Sequence, residues 1–326
     1  MTPPQLPSDL VRARIAIPTY KRPVLLERVL TEVLRQVAAI NGDRTDAQVS
    51  VQVIDNDPRG SASSICEAHA VSYVIEPAPG IAAVRNRSLR DSVDQDVIIF
   101  IDDDEIPAQG WLEALIARFM ESGADAVAGK VVTPFPDGVD KWLRVSGAFI
   151  RPKRADGQLI NEAATNNLLL DLRTVRAHGL TFDERFGLTG GSDSLFTRQF
   201  SARGARIVWA EHALVMEQED PARLTREWVL RRTYRLGNTK TRVNVVLADS
   251  PMARVRARAR MMAHGVARIA SGGLLIVWGR VTGSLSRRGH GERRAARGRG
   301  MVAGVFGHVH NEYGLRRAAE AHSDSE

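Results

Sequence analysis

Apolar residues along this chain keep changing rhythm between short continuous runs and helical spacing. Arg14 to Ile17 reads as a short buried strand ending at Pro18. From Val24 to Ile40 apolar residues then recur at helical spacing (Leu26, Val29, Leu30, Val33, Leu34, Val37), so a β-α unit opens the chain. Val49 to Ile54 predicts a second strand closed by Asp55-Asn56-Asp57-Pro58. Ser61 to Ala70 predicts a helix, Val71 to Ile75 a third strand, and Ile81 to Arg90 a helix opened by Gly80. Val97 to Ile101 is an apolar strand running straight into Asp102-Asp103-Asp104-Glu105. After it come a helix from Trp111 to Met120 and a strand from Ala126 to Val131. Beyond an irregular, Pro- and Gly-rich stretch from Pro134 to Gly157, strands are expected at Asn166 to Leu170 and Ala205 to Trp209. Helices are expected at Asp193 to Arg203 and Arg223 to Thr239.

Strands alternating with crossover helices predict an α/β fold with a mostly parallel sheet covered on both faces. Sites in such sheets lie beyond the carboxyl ends of the strands. Three polar clusters stand there: Thr19-Tyr20-Lys21-Arg22, Asp55-Asn56-Asp57 and Asp102 to Glu105.

Charge divides the chain. Arg223 to Glu326 carries 21 Lys and Arg against 7 Asp and Glu, whereas Met1 to Ala222 carries 24 against 31. The overall +7 therefore hides an acidic part and a basic tail that meet different partners. Cys66 is the single cysteine, which excludes an intrachain disulfide and a C-x-x-C zinc site. The start lacks a charged region followed by an apolar one, so no cleaved signal peptide is expected and the cytoplasm is the default. The stretch around Leu274 to Trp278 is closely flanked by Arg268 and Arg280, so no run reaches the roughly 18 to 20 apolar residues of a membrane span.

Asp102 and Asp104 sit two apart at the end of an extended strand, so both carboxylates point to the same side and Asp103 to the other. Two hard oxygen ligands suit Mg²⁺ or Mn²⁺, and magnesium binds through one or two carboxylates plus substrate phosphates. An isolated D-x-D is more often a solvated acidic turn. Four successive acids after five apolar residues repel one another unless a cation or ligand offsets them.

Taken together, Ala16-Ile17-Pro18-Thr19-Tyr20-Lys21-Arg22, Val53-Ile54-Asp55-Asn56 and Phe100-Ile101-Asp102-Asp103-Asp104-Glu105 resemble family 2 inverting glycosyltransferases. The likeness is closest to bacterial exopolysaccharide enzymes of the succinoglycan type. It implies a GT-A nucleotide-diphospho-sugar domain over 12–240, after an N-terminal tail at 1–11. A basic helical, membrane-associating extension at 241–317 and a disordered tail at 318–326 would follow.

By that resemblance Pro18, Thr19, Tyr20, Arg22 and Asp55 hold the donor nucleotide, Asp55 accepting from the base. Arg85 and Asn86, in a G-x-x-x-x-R-N segment, lie beside the donor with Asp102 and Asp103. Asp104 would ligate a divalent metal, Mg²⁺ or Mn²⁺, with His212 as a second ligand. Asp193 in Thr189-Gly190-Gly191-Ser192-Asp193 stands where the family places its general base. Asn166, Asn167, Gly190, Gly191 and Ser192 would line the donor sugar and acceptor, and Arg231, Arg232 and Arg235 would neutralise the leaving diphosphate. Family members often carry Glu-Asp where this chain has Ser192-Asp193, so one supporting acid is missing. Without the resemblance, Arg85 reads as a surface arginine, Ser192 or Asp193 as a helix cap, His212 as a structural histidine and Thr165-Asn166-Asn167 as a polar strand entry.

The implied activity is transfer of a hexose from a nucleotide diphosphate sugar, UDP-glucose by resemblance, to a lipid-linked or polysaccharide acceptor. The basic tail (Arg254, Arg256, Arg258, Arg260, then Leu274 to Trp278) suits an anionic membrane surface, placing the enzyme peripherally on the inner face of the cell membrane. Nucleic acid is disfavoured as a partner, since the tail has few aromatic residues for base stacking. Two alternatives remain open. A sugar-phosphate nucleotidyltransferase would need a glycine-rich basic loop after the first strand, which is absent. A noncatalytic nucleotide-sugar binder is opposed by intact Asp102, Asp104 and Asp193.

Overall fold

The computed structural model describes residues 10–309. Most of the expected N-terminal tail and the whole of the expected disordered tail at 318–326 fall outside that range. In chain order the elements are β1 (Val11–Thr19), α1 (Pro23–Asp43), β2 (Ala47–Asp55), α2 (Ser63–Ala68), β3 (Ser72–Ile75), α3 (Ile81–Asp91), β4 (Val97–Ile101), β5 (Glu105–Pro107), α4 (Trp111–Ser122), β6 (Ala126–Val132), α5 (Lys141–Val145), β7 (Leu159–Ile160), β8 (Asn167–Asp171), α6 (Leu172–Ala177), α7 (Ser192–Ala202), β9 (Ile207–Glu217), α8 (Arg226–Val246), α9 (Pro251–Val281) and α10 (Leu285–Val305). They form two compact units. One holds residues up to Val132, Arg151–Gly187 and Ser192–Gln218; the other holds Thr133–Ile150, Leu188–Gly191 and the chain from Glu219 onward. The division falls after Gln218 rather than at 240/241, because α8 packs with α10.

The first unit is built on one sheet of order β3-β2-β1-β4-β8-β6-β9-β5, with β7 on β9. The half β3-β2-β1-β4 is parallel, as the β-α alternation predicts. The other half is mixed: β8 runs antiparallel to both β4 and β6, and β5 antiparallel to β9. β8 pairs with β4 up to its last residue, Ile101 opposite Asn167, and the chain turns away beyond it. All five residues of β4 are buried. Val97, Ile99 and Ile101 face the core under α1 and α4, and Ile98 and Phe100 face the core with α3, α6 and α7, as a period of two requires. α1 starts with Pro23 in its first turn, where the missing N–H costs nothing, and buries Leu26, Val29, Leu30, Val33, Val37 and Ile40.

The second unit is mainly helical. α10 packs against both α8 and α9, and both seams are made of small residues. A Cβ at Gly265 would lie 3.0 Å from Gly298 O, and one at Gly272 would lie 2.7 Å from Gly291 O, so backbone meets backbone along the α9–α10 seam. Gly265, Gly272 and Gly279 recur every seven residues on one face of α9. The basic extension expected to be helical is so: it forms the two long helices α9 and α10, and the arginine- and glycine-rich run from Arg287 to Arg299 lies within α10. α9 contains an 18-residue window of mean hydropathy 1.3, 17% of it buried, and so is by length and composition long and apolar enough to cross a membrane. The sequence reading, which counted uninterrupted apolar residues, found no such window.

Candidate active site

The chain leaves β4 at Ile101 and turns at once: Glu105 N donates to Asp102 O at 3.2 Å. This turn corrects the expectation that Asp102 and Asp104 share a side. Arg22 Nη1 reaches Asp103 Oδ1 at 3.0 Å and Asp104 Oδ2 at 2.8 Å, so it is Asp103 and Asp104 that converge. Asp102 instead faces Arg85, whose Nη2 lies 3.9 Å from Asp102 Oδ1. Strand alternation does not extend into a turn.

Thr19, the last residue of β1, donates through Oγ1 to Asp103 Oδ2 at 2.8 Å. Lys21 adopts a positive φ of 53°, the tight corner that brings Arg22 back over the acids. Pro18 is buried within β1, beside Ile54, and Tyr20 is half-buried under the Lys21 ammonium, 5.6 Å from the ring centre. Glu105 is fully buried; it accepts from Asn166 Nδ2 and from Asp102 N. Directly across the sheet from Glu105 stands Glu217, to which Arg151 Nη2 donates at 2.9 Å. Sequence reading missed both Glu217 and Arg151. Neither sits in a motif, and only the full length of β9, which was expected to end at Trp209, places Glu217 opposite Glu105.

This cluster holds five carboxyl groups (Asp102, Asp103, Asp104, Glu105, Glu217) against three guanidiniums (Arg22, Arg85, Arg151). The excess of negative charge shows in the acids themselves. Asp102 keeps 35% of its side-chain surface, yet loss of water around it pushes its carboxyl up to about 7; Arg85 opposes the shift, and Asp104, Asp103 and Glu217 add to it. Burial pushes Asp103 up to about 6 against the pull of Arg22, with Asp104 adding to the rise. Burial, helped by Asp102, Asp104 and Glu217, holds Glu105 well above the usual carboxylate range. Burial works against the charge of Arg22, but Asp103 and Asp104 outweigh it and keep the guanidinium protonated. Carboxyl groups that outnumber the guanidiniums and resist losing their protons fit one hard divalent cation, whose charge would favour their ionised form, bound through few protein ligands and completed by phosphates. Among the described residues no three His, Cys, Asp or Glu side chains form a closed metal cage. His212 is exposed in the bulged part of β9, six residues before Gln218, whose N–H bonds Asp104 O.

Other predicted residues also carry structural hydrogen bonds. Asp55 is fully buried, and its two oxygens accept from Asp57 N, Ser61 Oγ, Ala62 N and Tyr73 Oη. These bonds hold the loop after β2. Asn56 bonds Glu76 O, Ala78 O and Gly80 N, fixing the entry to α3. Gly80 takes φ of 112°, and a Cβ there would lie 3.1 Å from the Gly187 carbonyl carbon, so both conformation and space demand glycine. Asn86 spends its amide on Phe182 N and O. Asn167 accepts from Trp111 Nε1 at 2.9 Å and donates to Lys130 O and Ala213 O. Of the two asparagines only Asn166 reaches the acids.

Arg85 is 6% exposed, and is no surface arginine. Besides facing Asp102 it donates through Nη1 to Ser192 Oγ at 3.3 Å, which ties the acidic turn to the start of α7. Asp193, in the first turn of α7, is half-buried. One of its oxygens accepts from Ser194 N at 2.8 Å and the other has no partner among the described residues. In the second unit, Gly190 and Gly191 take φ of 76° and 102°, and Arg235 Nη1 would lie 3.1 Å from a Cβ at Gly190. Arg232 lies over Phe149 and Trp228 at 5.3 and 5.2 Å and is 3.9 Å from Glu219; exposed Arg231 pairs with Glu227 at 3.7 Å.

The chain is similar to known proteins in sequence and in fold. The family model described as glycosyl transferase family 2 matches residues 14–173, which carry β1 to β4 and the acidic turn. Succinoglycan biosynthesis protein ExoM of Rhizobium meliloti (strain 1021) is 31% identical over 246 residues, covering 73% of this chain and 77% of that protein. Glycosyltransferase AglE of Haloferax volcanii is 24% identical over 242 residues, 72% of this chain and 75% of that protein. The mannosyltransferase PcManGT from Pyrobaculum calidifontis, solved with GDP-Man and Mn²⁺, superposes with a TM-score of 0.59 at 18% identity, over 91% of this chain and 88% of that one. The last shows a GT-A fold with a C-terminal helical extension beyond it in this chain. With the ExoM likeness extending over most of both chains, the protein belongs to glycosyl transferase family 2 and is a nucleotide-sugar glycosyltransferase.

Proposed function

We propose that the protein transfers a hexose, from UDP-glucose, with inversion to a lipid-linked saccharide presented at the inner face of the cell membrane. The observation that supports this most is the charge excess beyond β4, linked through buried Arg85 to the helix turn that carries Asp193. Asp104 would hold a divalent cation, which when bound neutralises the diphosphate of the donor. Arg22 keeps Asp103 and Asp104 apart from bulk water and lowers their mutual repulsion before the donor arrives. Arg85 positions Asp102 and Ser192 together. Asp193, with one oxygen unpartnered, accepts the proton of the acceptor hydroxyl, and the nucleoside diphosphate leaves from the opposite face of the sugar. Asp55 and Asn56 act one step back, by shaping the loop that lines the nucleoside. Mn²⁺ in the PcManGT complex agrees with a divalent requirement.

Release of free nucleotide is measured from UDP-, GDP- and dTDP-sugars with membrane extract as acceptor, with Mn²⁺, Mg²⁺ or EDTA. Metal-dependent release from UDP-glucose above the other donors supports the proposal. Release from another donor alone refutes the choice of UDP-glucose, and no binding of any nucleotide sugar by the folded protein refutes the reading as a whole.

A further inference from the structure

α9 has three faces of different chemistry. One carries Gly265, Gly272 and Gly279 and is closed by α10. Arg268 and Arg280 flank the helix on either side. The third points away from α10, and from Ala263 to Val281 its positions at helical spacing hold no charge: Val266, Ala270, Leu274, Val277, Trp278, Val281. Leu274 is 73% exposed and Val281 81%. Nineteen residues of helix extend about 28 Å, a long apolar strip for water to cover. Toward the N-terminus the same face continues as Arg260 and Arg256, both exposed, one and two turns before the strip.

We propose that this face of α9 is a docking surface for an anionic lipid bilayer, and that the helix lies in the interface without crossing it. Charge complementarity identifies the occupant: the apolar strip suits acyl chains, and the two arginines that prolong it, Arg256 and Arg260, suit acidic headgroups. Arg268 and Arg280 lie at the flanks, where their stems lie along apolar surface and their charges reach the headgroups. A span is excluded by α10. That helix is locked to α9 through glycine, and it carries Arg287, Arg288, Arg293, Arg294, Arg297 and Arg299, which would be drawn into hydrocarbon with it. Trp278 sits under the Arg287 guanidinium, 4.8 Å from its ring, an amphipathic pair suited to the headgroup level.

The full chain is floated with vesicles of phosphatidylcholine alone and of phosphatidylcholine mixed with phosphatidylglycerol, at low and high salt. Flotation only with the anionic vesicles, weakened by salt, is expected. The exposed double variant Val277→Glu/Trp278→Glu should lower the bound fraction by about tenfold or more. Unchanged secondary structure and thermal midpoint separate this loss from unfolding, and unchanged metal-dependent nucleotide release toward water separates it from failure of the catalytic reading. Quenching of Trp278 by lipids brominated near the headgroup but not near the bilayer centre marks an in-plane helix; Trp278→Phe identifies its share of the signal. Wild-type affinity in the double variant, quenching at the bilayer centre, or a dimer in solution that buries Trp278 would each overturn the proposal.

Discussion

Gly272 and Gly273 are neighbours in the middle of α9, yet the structure assigns opposite signs to the same substitution. At Gly273 a Cβ meets nothing within 4 Å. Gly273→Ala therefore gains helix propensity, about 1 kcal/mol, at no packing cost. At Gly272 a Cβ would lie 2.7 Å from both Ala295 N and Gly291 O, and Cβ atoms essentially never approach within 3.0 Å of a neighbour. α9 and α10 must then part by roughly 0.5 Å, which forfeits about a quarter of each contact's attraction along a seam held by close approach. Overpacking of this kind costs about 1 to 3 kcal/mol, and against backbone atoms the upper part of that range applies. Subtracting the propensity gain leaves Gly272→Ala about 1 to 2 kcal/mol less stable than the parent, and about 2 to 3 kcal/mol less stable than Gly273→Ala. Urea unfolding followed by amide hydrogen exchange in peptides from α8 to α10 reads the difference where it arises. Equal stability of the two variants, or a stabilised Gly272→Ala, would refute close glycine packing in this bundle.

Two further outcomes follow from buried groups. Burial, with the negative charge of Asp55 adding to it, pushes the Cys66 thiol up to about 11, so it stays protonated and covered; a soluble disulfide reagent at pH 8 should label it only after denaturation. Rapid labelling of the native chain would contradict the packing of α2 against the sheet. Arg85→Lys keeps the charge but replaces a planar fork by a single ammonium that cannot face Asp102 and Ser192 together. Transfer should fall by about tenfold or more, mostly in kcat, whereas an unchanged kcat would remove Arg85 from positioning.

How far the sequence disclosed this molecule depended on how local each signal was. Val97 to Ile101 announced a strand buried on both faces because five apolar residues in a row allow little else, and the acids after it marked the site. The sides taken by Asp102, Asp103 and Asp104 were not legible, since they follow from a turn that no hydrophobic rhythm encodes. Glu217 and Arg151 reach the acids only through the pairing of β5 with β9, a contact across more than a hundred residues. Asp55, Asn86 and Asn167 belong to motifs, but whether such a side chain faces a ligand or completes the scaffold is decided by its partners, and these came from distant elements. The helical character of the basic extension was legible, and α9 and α10 bear it out, whereas the role of their glycines was not: these weaken an isolated helix and here permit its packing.

The most direct test of the mechanism compares donor binding and transfer in Asp193→Asn, a substitution that keeps shape and removes the basic carboxylate. Binding of the nucleotide sugar with Mn²⁺, by calorimetry, should stay within a few-fold of wild type, while single-turnover transfer to the acceptor should fall by about 10² to 10⁴. Transfer at the wild-type rate, or loss of donor binding in parallel with activity, would contradict the assignment of Asp193 as the general base.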